Sequence, residues 1–404
     1  MYIFLTSSEK SYGRVLFVLS ISMFCAMLGI GIIAPVLPLY AKKLGAGGIA
    51  LGMIMGSFSF SRSGGMVISG ELADRMNMKI LLIFGLTFYA AASIAYTFAS
   101  STGEMILIRI GHGFGSAMVV PITMAIGANI APPGKEGIFF GSLQGALFLG
   151  IGTGPLLSGF LAEKVAMEAP FFSMTILTLL SIVLVFIFLP GNLSRNREET
   201  VLPPTRLVVK YLLADHEMLV VFFFQFCSAM CRGSLVMMIP ILASGMELSL
   251  SRIGIIVSLN SLSTGILQRF SGRLADRVHK YWLILAGGLL SAVTLLGLPS
   301  MKTPLSLALA SIAFGIGHAF ASPSLAAIAA ERGKSLGAGR VMGFFNIAFS
   351  IGMTAGPVLV GFLLEKAGES IPFYFLSLML FFASFPFFSH RRFEAFESVN
   401  PERK

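Results

Sequence analysis

At 404 residues the chain is 55% hydrophobic and only 12% charged, with a mean hydropathy of +0.86. Soluble proteins carry roughly a quarter charged residues, so a soluble domain is excluded, and continuous apolar runs without period-two alternation exclude a transmembrane barrel. The net charge of +10 is not a nucleic-acid signature, because the basic residues collect in the connections on one side of the apolar runs.

Runs of about twenty apolar residues, each enough to cross a bilayer core of roughly 30 Å, follow one another along the chain. The composition therefore predicts an all-α integral membrane protein with twelve transmembrane helices. Expected spans cover residues 13–40, 49–69, 80–99, 104–131, 137–162 and 170–189, then 217–242, 253–270, 282–299, 305–330, 340–364 and 371–388. Pro35 and Pro38 are expected to loosen the outer end of the first span, and the second, rich in Gly and Ser, should pack closely. The long polar stretch 191–215 reads as a linker, with residues 206–213 as a short helix on the membrane surface. Four segments result: an N-terminal six-helix bundle (1–190), the linker (191–215), a C-terminal six-helix bundle (216–389) and a polar tail (390–404). With the termini placed on the cytoplasmic side, that side receives 19 Lys and Arg against six on the other, as the positive-inside rule requires. Cys25, Cys227 and Cys231 all fall inside predicted spans, with no metal-ligand spacing or disulfide framework.

The second half repeats the first. The loop GELADRMNMK, Gly70 to Lys79, returns 202 positions later as GRLADRVHKY, Gly272 to Tyr281. Gly31 maps to Gly233 and Pro38 to Pro240, and Gly141, Gly150, Gly154 and Pro155 map to Gly343, Gly352, Gly356 and Pro357. Around the fourth span the similarity shifts to 206, IGHGF (110–114) matching IGHAF (316–320). Two parallel six-span repeats are a known transporter plan, with the substrate site between them near the midplane. The duplicated polar loop reads as a turn at the cytoplasmic hinge of each half. An acid there, Asp74, can meet the positive end of a neighbouring helix dipole.

Charges inside spans are rare and functional by default. Arg62, Arg109, Arg232, Arg269, His112 and His318 are the candidates, and Arg269 is close enough to an interface to snorkel. Arg62 lies about 18 Å along a helix from Asp74, and Arg232 about 22 Å from Glu217, at 1.5 Å per residue. No Asp or Glu is placed deep in any span. Arg62 and Arg232 are either held by Ser, Asn260 and backbone carbonyls, or line a cavity and fork an anionic substrate group. His318 joins them in the substrate-binding set. His112, three residues from Arg109 near the same helix face, is the proton-carrier candidate, since a histidine titrates near neutral pH. There is no H-E-x-x-H, no paired deep carboxylate and no nucleotide loop, so neither an enzyme nor a nucleotide-driven pump is expected, and no cofactor.

Four patterns together give a resemblance to the major facilitator superfamily, and within it to the twelve-span drug:proton antiporter branch. They are G-x-L-A-D-R after span two in both halves; L-G-x5-P-V-x-P as Leu28, Gly29, Pro35, Val36 and Pro38; R-x-x-Q-G-x-G as Arg109, His112, Gly113 and Gly115, with His for Gln; and G-x8-G-x3-G-P-x2-G-G as Gly141, Gly150, Gly154, Pro155, Ser158 and Gly159, with Ser for one Gly. The resemblance implies two pseudo-symmetric six-helix bundles working by alternating access. It also implies a cytoplasmic gate made by Gly70, Asp74, Arg75, Lys79, Gly272, Asp276 and Arg277, with Asp74 latching onto span eleven. An antiporter interface at Gly141, Gly150, Gly154, Pro155 and Gly159 and a proton-linked Arg109 follow likewise. The expected activity is proton-coupled efflux of amphipathic small molecules. The alternative is an organic-anion or lipid-like-anion transporter, possibly importing, with Arg62 and Arg232 on the anion. A small-molecule substrate, the lipid bilayer and protons are the expected partners, without nucleic acid. A monomer in the plasma membrane with both termini cytoplasmic is expected.

Overall fold

The computed structural model describes residues 7–130, 136–191, 205–275, 278–336 and 338–388. Among them every regular element is helical. In chain order the helices are α1 (Ser7–Lys43), α2 (Gly48–Arg75), α3 (Met78–Phe98), α4 (Thr102–Ile130), α5 (Glu136–Lys164), α6 (Ala169–Phe188), α7 (Thr205–Ala214), α8 (His216–Gly245), α9 (Leu250–Ala275), α10 (Lys280–Gly297), α11 (Pro304–Leu336), α12 (Ala338–Ala367) and α13 (Ile371–Ser384). Short 3-10 turns follow α10 and α13. All but α7 correspond to the twelve expected spans. Eleven are long and apolar enough to cross a membrane, and α2, diluted by Gly, Ser and Arg62, is the exception. The short helix expected in the linker is α7. It buries Val208 and Leu212, four residues apart and thus on one face, and exposes Lys210, Tyr211 and Leu213.

Two expectations are corrected. The Gly70–Lys79 stretch is not a turn along its length: α2 runs on to Arg75 and breaks only at Met76 and Asn77. Asn77 then caps α3, its side-chain oxygen accepting from Lys79 N at 2.9 Å. The residues from Gly70 to Arg75 thus form the last turns of a helix. In the repeat, α9 continues to Ala275, while Asp276 and Arg277 lie outside the described residues, as does the tail 390–404. α1 is one continuous helix with Pro35 and Pro38 inside it, each lacking the N–H that a helical hydrogen bond would use. Second, the repeat stays at 202 in α4 and α11. Gly85 faces Gly115 as Gly287 faces Gly317. Ser69 donates to the Ala117 carbonyl as Ser271 does to that of Ala319. The 206 match is thus the same face displaced by about one turn of 3.6 residues, and His112 and His318 are not structural equivalents.

The described residues form two compact units. One contains residues up to 191 together with 236–262; the other contains 205–235 and 263–388. In the first, α1 packs on α5 and α6, α2 on α4, and α3 on α4 and α6; in the second, α10 packs on α11 and α13.

Glycine sets the closest approaches. A Cβ on Gly150 would lie 2.6 Å from the Phe24 carbonyl, and one on Gly154 2.6 Å from that of Leu28. The second unit repeats the clasp: Gly352 meets the Phe226 carbonyl at 2.3 Å and Gly356 that of Met230 at 2.4 Å. Small residues let helix backbones touch, and dispersion and close packing hold them where lipid supplies no hydrophobic drive.

Candidate functional site

The buried polar groups of the first unit gather where α2, α3 and α4 meet. Gly113 allows the approach, since a Cβ there would lie 2.3 Å from the Phe58 carbonyl on α2. Arg109, 6% exposed, donates from Nε to the Ile54 carbonyl at 3.2 Å and holds its guanidinium 4.4 Å from the centre of the Phe58 ring. That contact is a cation–π pair of the kind that strengthens when desolvated. His112 is fully buried. Its Nδ1 is 3.3 Å from the Tyr96 hydroxyl, and its ring stands edge-on to Tyr89 at 4.4 Å and to Phe58 at 5.1 Å. Tyr96 is in turn stacked on Phe171 of α6 at 5.2 Å, which fixes its hydroxyl. Tyr89 Oη, Ser116 Oγ, His112 Nε2 and Arg62 Nε are buried without hydrogen-bond partners among the described residues. The Tyr89 hydroxyl is within electrostatic reach of both Arg62 and Arg109. Thus Arg62, grouped by sequence with Arg232, shares its surroundings with Arg109 and His112.

Sequence reasoning passed over Tyr89 and Tyr96. They are seven residues apart, two turns on one face of α3. Two tyrosines at that spacing in an otherwise apolar span were the available signal. No Asp or Glu is buried among the described residues, so this cluster carries positive charge without an internal carboxylate.

In the second unit His318 of α11, 8% exposed, places Nδ1 3.4 Å from the Ser228 hydroxyl of α8. Arg232, one turn along α8, is within electrostatic reach of the same imidazole. Arg232 and His318 are therefore neighbours. Arg62 belongs to the other unit.

The ends of the duplicated loop are tied down. Lys79 donates to the carbonyls of Phe186 at 2.8 Å and Leu189 at 2.7 Å, so its charge sits at the C-terminal end of α6, where a cation is favoured. Asn77 also donates to the Gly191 carbonyl. The counterpart of Lys79 by the 202 offset, Tyr281, donates to Glu217. Arg332 pairs with the same Glu217 at 2.6 Å and with Asp215 at 3.2 Å, and Lys280 pairs with Glu331. Gly70 lies within α2 and Gly272 within α9; the side chains of Asp74 and Arg75 lie outside what the structure describes.

The glycines of α5 divide by neighbour. Gly150 and Gly154 face α1, as above. Gly152 and Gly159 face α9, where a Cβ would meet Leu262 Cδ2 and the Leu250 carbonyl, each at 2.4 Å. Gly254 returns the contact, 2.3 Å from the Pro155 carbonyl. Glu163, near the end of α5, accepts from Ser251 N at 2.9 Å and so caps the first turn of α9. At Gly141 and Gly145 a Cβ would meet nothing within 4 Å. Among the described residues no group of three His, Cys, Asp or Glu could hold a metal ion.

Eleven apolar spans, a twelfth helix of matching length and an internally repeated helix pairing around buried cationic groups define a polytopic membrane transporter. The chain belongs to the Major Facilitator Superfamily, whose family model matches residues 19–225 and 221–403. It is 27% identical over 354 residues to an uncharacterized MFS-type transporter, MJ1560, of Methanocaldococcus jannaschii, covering 87% of this chain and 92% of that protein. It is 26% identical over 358 residues to a multi-drug resistance efflux pump PmrA homolog of Lactococcus lactis subsp. lactis, covering 86% and 88%. Among solved structures it resembles the nucleoside transporter NupG with a TM-score of 0.79, at 15% identity over 93% of this chain and 99% of that one, a likeness of fold alone.

Proposed function

We propose that the protein is a secondary transporter of the plasma membrane that exports amphipathic small molecules in exchange for protons by alternating access. The observation that carries the proton coupling is the burial of His112. It is a titratable group held on Nδ1 by Tyr96; among the described residues its Nε2 has no partner and its unit has no buried carboxylate. A histidine so placed exchanges a proton only when a conformational change brings water or substrate to Nε2, which is what coupling requires. Arg109, fixed by Ile54 and Phe58, supplies a permanent positive charge that expels the proton again. The similarity to the Lactococcus efflux pump homolog supports amphiphiles as the substrate class.

The test is amphiphile transport in proteoliposomes under an imposed proton gradient. His112→Asn is expected to lower gradient-driven transport at least tenfold while leaving amphiphile binding within about twofold. Transport at the wild-type rate in a variant of unchanged melting temperature would remove His112 from the coupling.

A second reading is favoured by one observation: the buried Arg62 Nε without a partner among the described residues. In that reading Arg62 and Arg232 bind the charge of an organic anion. It predicts that anionic amphiphiles stabilise the protein and that Arg62→Gln or Arg232→Gln abolishes that effect.

A further inference from the structure

The 202-residue repeat makes each unit a control for the other, and one place breaks the equivalence. Between α1 and α5 lies a cleft of 380 Å³ walled by Phe17, Phe24 and Leu149, with Ser20, Ser142 and Gly145 along it. Carried forward by 202, the three small positions become Phe222, Phe344 and Ile347. Two of the three walls keep their kind, Phe24 becoming Phe226 and Leu149 becoming Ile351, while Phe17 becomes Leu219. The same helix pair, held by the same glycine clasps, is therefore open in the first unit at the positions that carry bulky side chains in the second.

Gly145 is otherwise unexplained. It lies inside α5 with helical backbone, so no left-handed conformation requires glycine, and a Cβ would meet nothing within 4 Å. Glycine inside a helix is disfavoured relative to alanine. The clasped glycines, 150 and 154, repay that in backbone contact; Gly145 does not.

We infer that the α1–α5 cleft is the subsite for the apolar ring system of the transported amphiphile, with Gly145 and Ser142 kept small to leave room for it. The inference rests on the substrate class proposed above and adds its location. Three features select a small molecule over a lipid chain. The volume lies in the range of ligand pockets, roughly 300–1,000 Å³. Phe17 and Phe24 offer ring faces for stacking. Two serines, Ser20 and Ser142, stand in an otherwise apolar lining, the composition of an orienting site.

The experiment writes the second unit into the first. Purified wild type, Gly145→Ile, Ser142→Phe and the control Gly141→Ala are titrated with cationic, neutral and anionic amphiphiles, reading the ligand-induced rise in melting temperature. Both cleft variants are expected to melt without ligand at or above the wild-type temperature, because the space is open, and to need at least tenfold more amphiphile for the half-maximal shift. The control should match wild type. If a wild-type shift persists at unchanged concentration in both cleft variants, the cleft is wrong and the amphiphile reading stands. If no amphiphile shifts wild type, the substrate class falls and the cleft with it. A second arm tests for lipid. The only tryptophan, Trp282, is changed to Phe, and Phe17→Trp is compared with Phe186→Trp on the exposed face of α6. In brominated-chain lipid, Phe17→Trp is expected to be quenched at most one third as strongly as Phe186→Trp. Equal quenching would show an acyl chain in the cleft and overturn the proposal.

Discussion

Tyr96 touches three things that matter: its hydroxyl fixes His112, its ring stacks on Phe171, and its edge meets the imidazole. Tyr96→Phe removes only the hydroxyl, leaving His112 Nδ1 unpaired in a dry interior. An unmade buried hydrogen bond costs about 1–3 kcal/mol, so a melting temperature below wild type is expected in detergent, with Tyr96→Leu lower still because the stacked ring goes too. The clasped glycines give a sharper contrast. Gly154→Ala places a methyl 2.6 Å from the Leu28 carbonyl and 2.7 Å from Gly31 Cα. Backbone on both sides cannot yield as a side chain would, and overpacking of this kind costs roughly 1–3 kcal/mol. Gly141→Ala, with nothing within 4 Å, is expected to be neutral or to stabilise by up to about 1 kcal/mol through helix propensity. Thermal denaturation of the pair checks both signs.

Helix ends carry the polar work of this protein, because carbonyls and amides left over by each helix need partners. Lys79 serves the end of α6, Asp215 and Arg332 the start of α8, and Glu163 the start of α9. Glu163→Ala removes the acceptor of Ser251 N and with it the cap on the first turn of α9. It should loosen the contact of α5 with the first turn of α9, read as faster amide exchange at residues 251–254 than in Glu163→Gln, which keeps an acceptor. Arg332→Ala strips the cation from Asp215 and Glu217 together. The side chain of Arg332 is 37% exposed, so water screens the pairs and the expected loss is about 1 kcal/mol. It should shrink as salt is raised, since screening already weakens the wild-type pairs. A loss unchanged between low and high salt would mean that Arg332 acts through packing.

At the scale of the molecule, the distribution of Lys and Arg predicts one orientation. Cys25, Cys227 and Cys231 are buried, so native protein is expected to be silent to a membrane-impermeant maleimide. Lys302→Cys should then label from outside intact cells and Lys210→Cys only after permeabilisation. The reverse pattern would invert the topology and with it the assignment of Asn77 and Lys79 to the cytoplasmic face.

Twelve spans, their order and their duplication were legible in the sequence, because apolar runs of membrane length and a 202-residue repeat are properties of the chain itself. The existence of α7 was equally legible. The sequence also pointed to Arg109, His112, Arg232 and His318, since a charge in an apolar run stands out without knowledge of its neighbours. What surrounds each charge was not legible. That Arg62 stands with Tyr89 and Arg109, that Tyr96 holds His112, and that His112 and His318 are one turn out of equivalence depend on which helix faces meet. Those faces are set by glycines whose value comes from a backbone far away in sequence. In α5 the stripe of small residues reads the same throughout. Only packing separates Gly150 and Gly154, closed on α1, from Gly152 and Gly159, closed on α9, and from Gly141 and Gly145, closed on nothing. Composition fixed what the chain is made to cross; the distances between backbones decided where it has room to hold something.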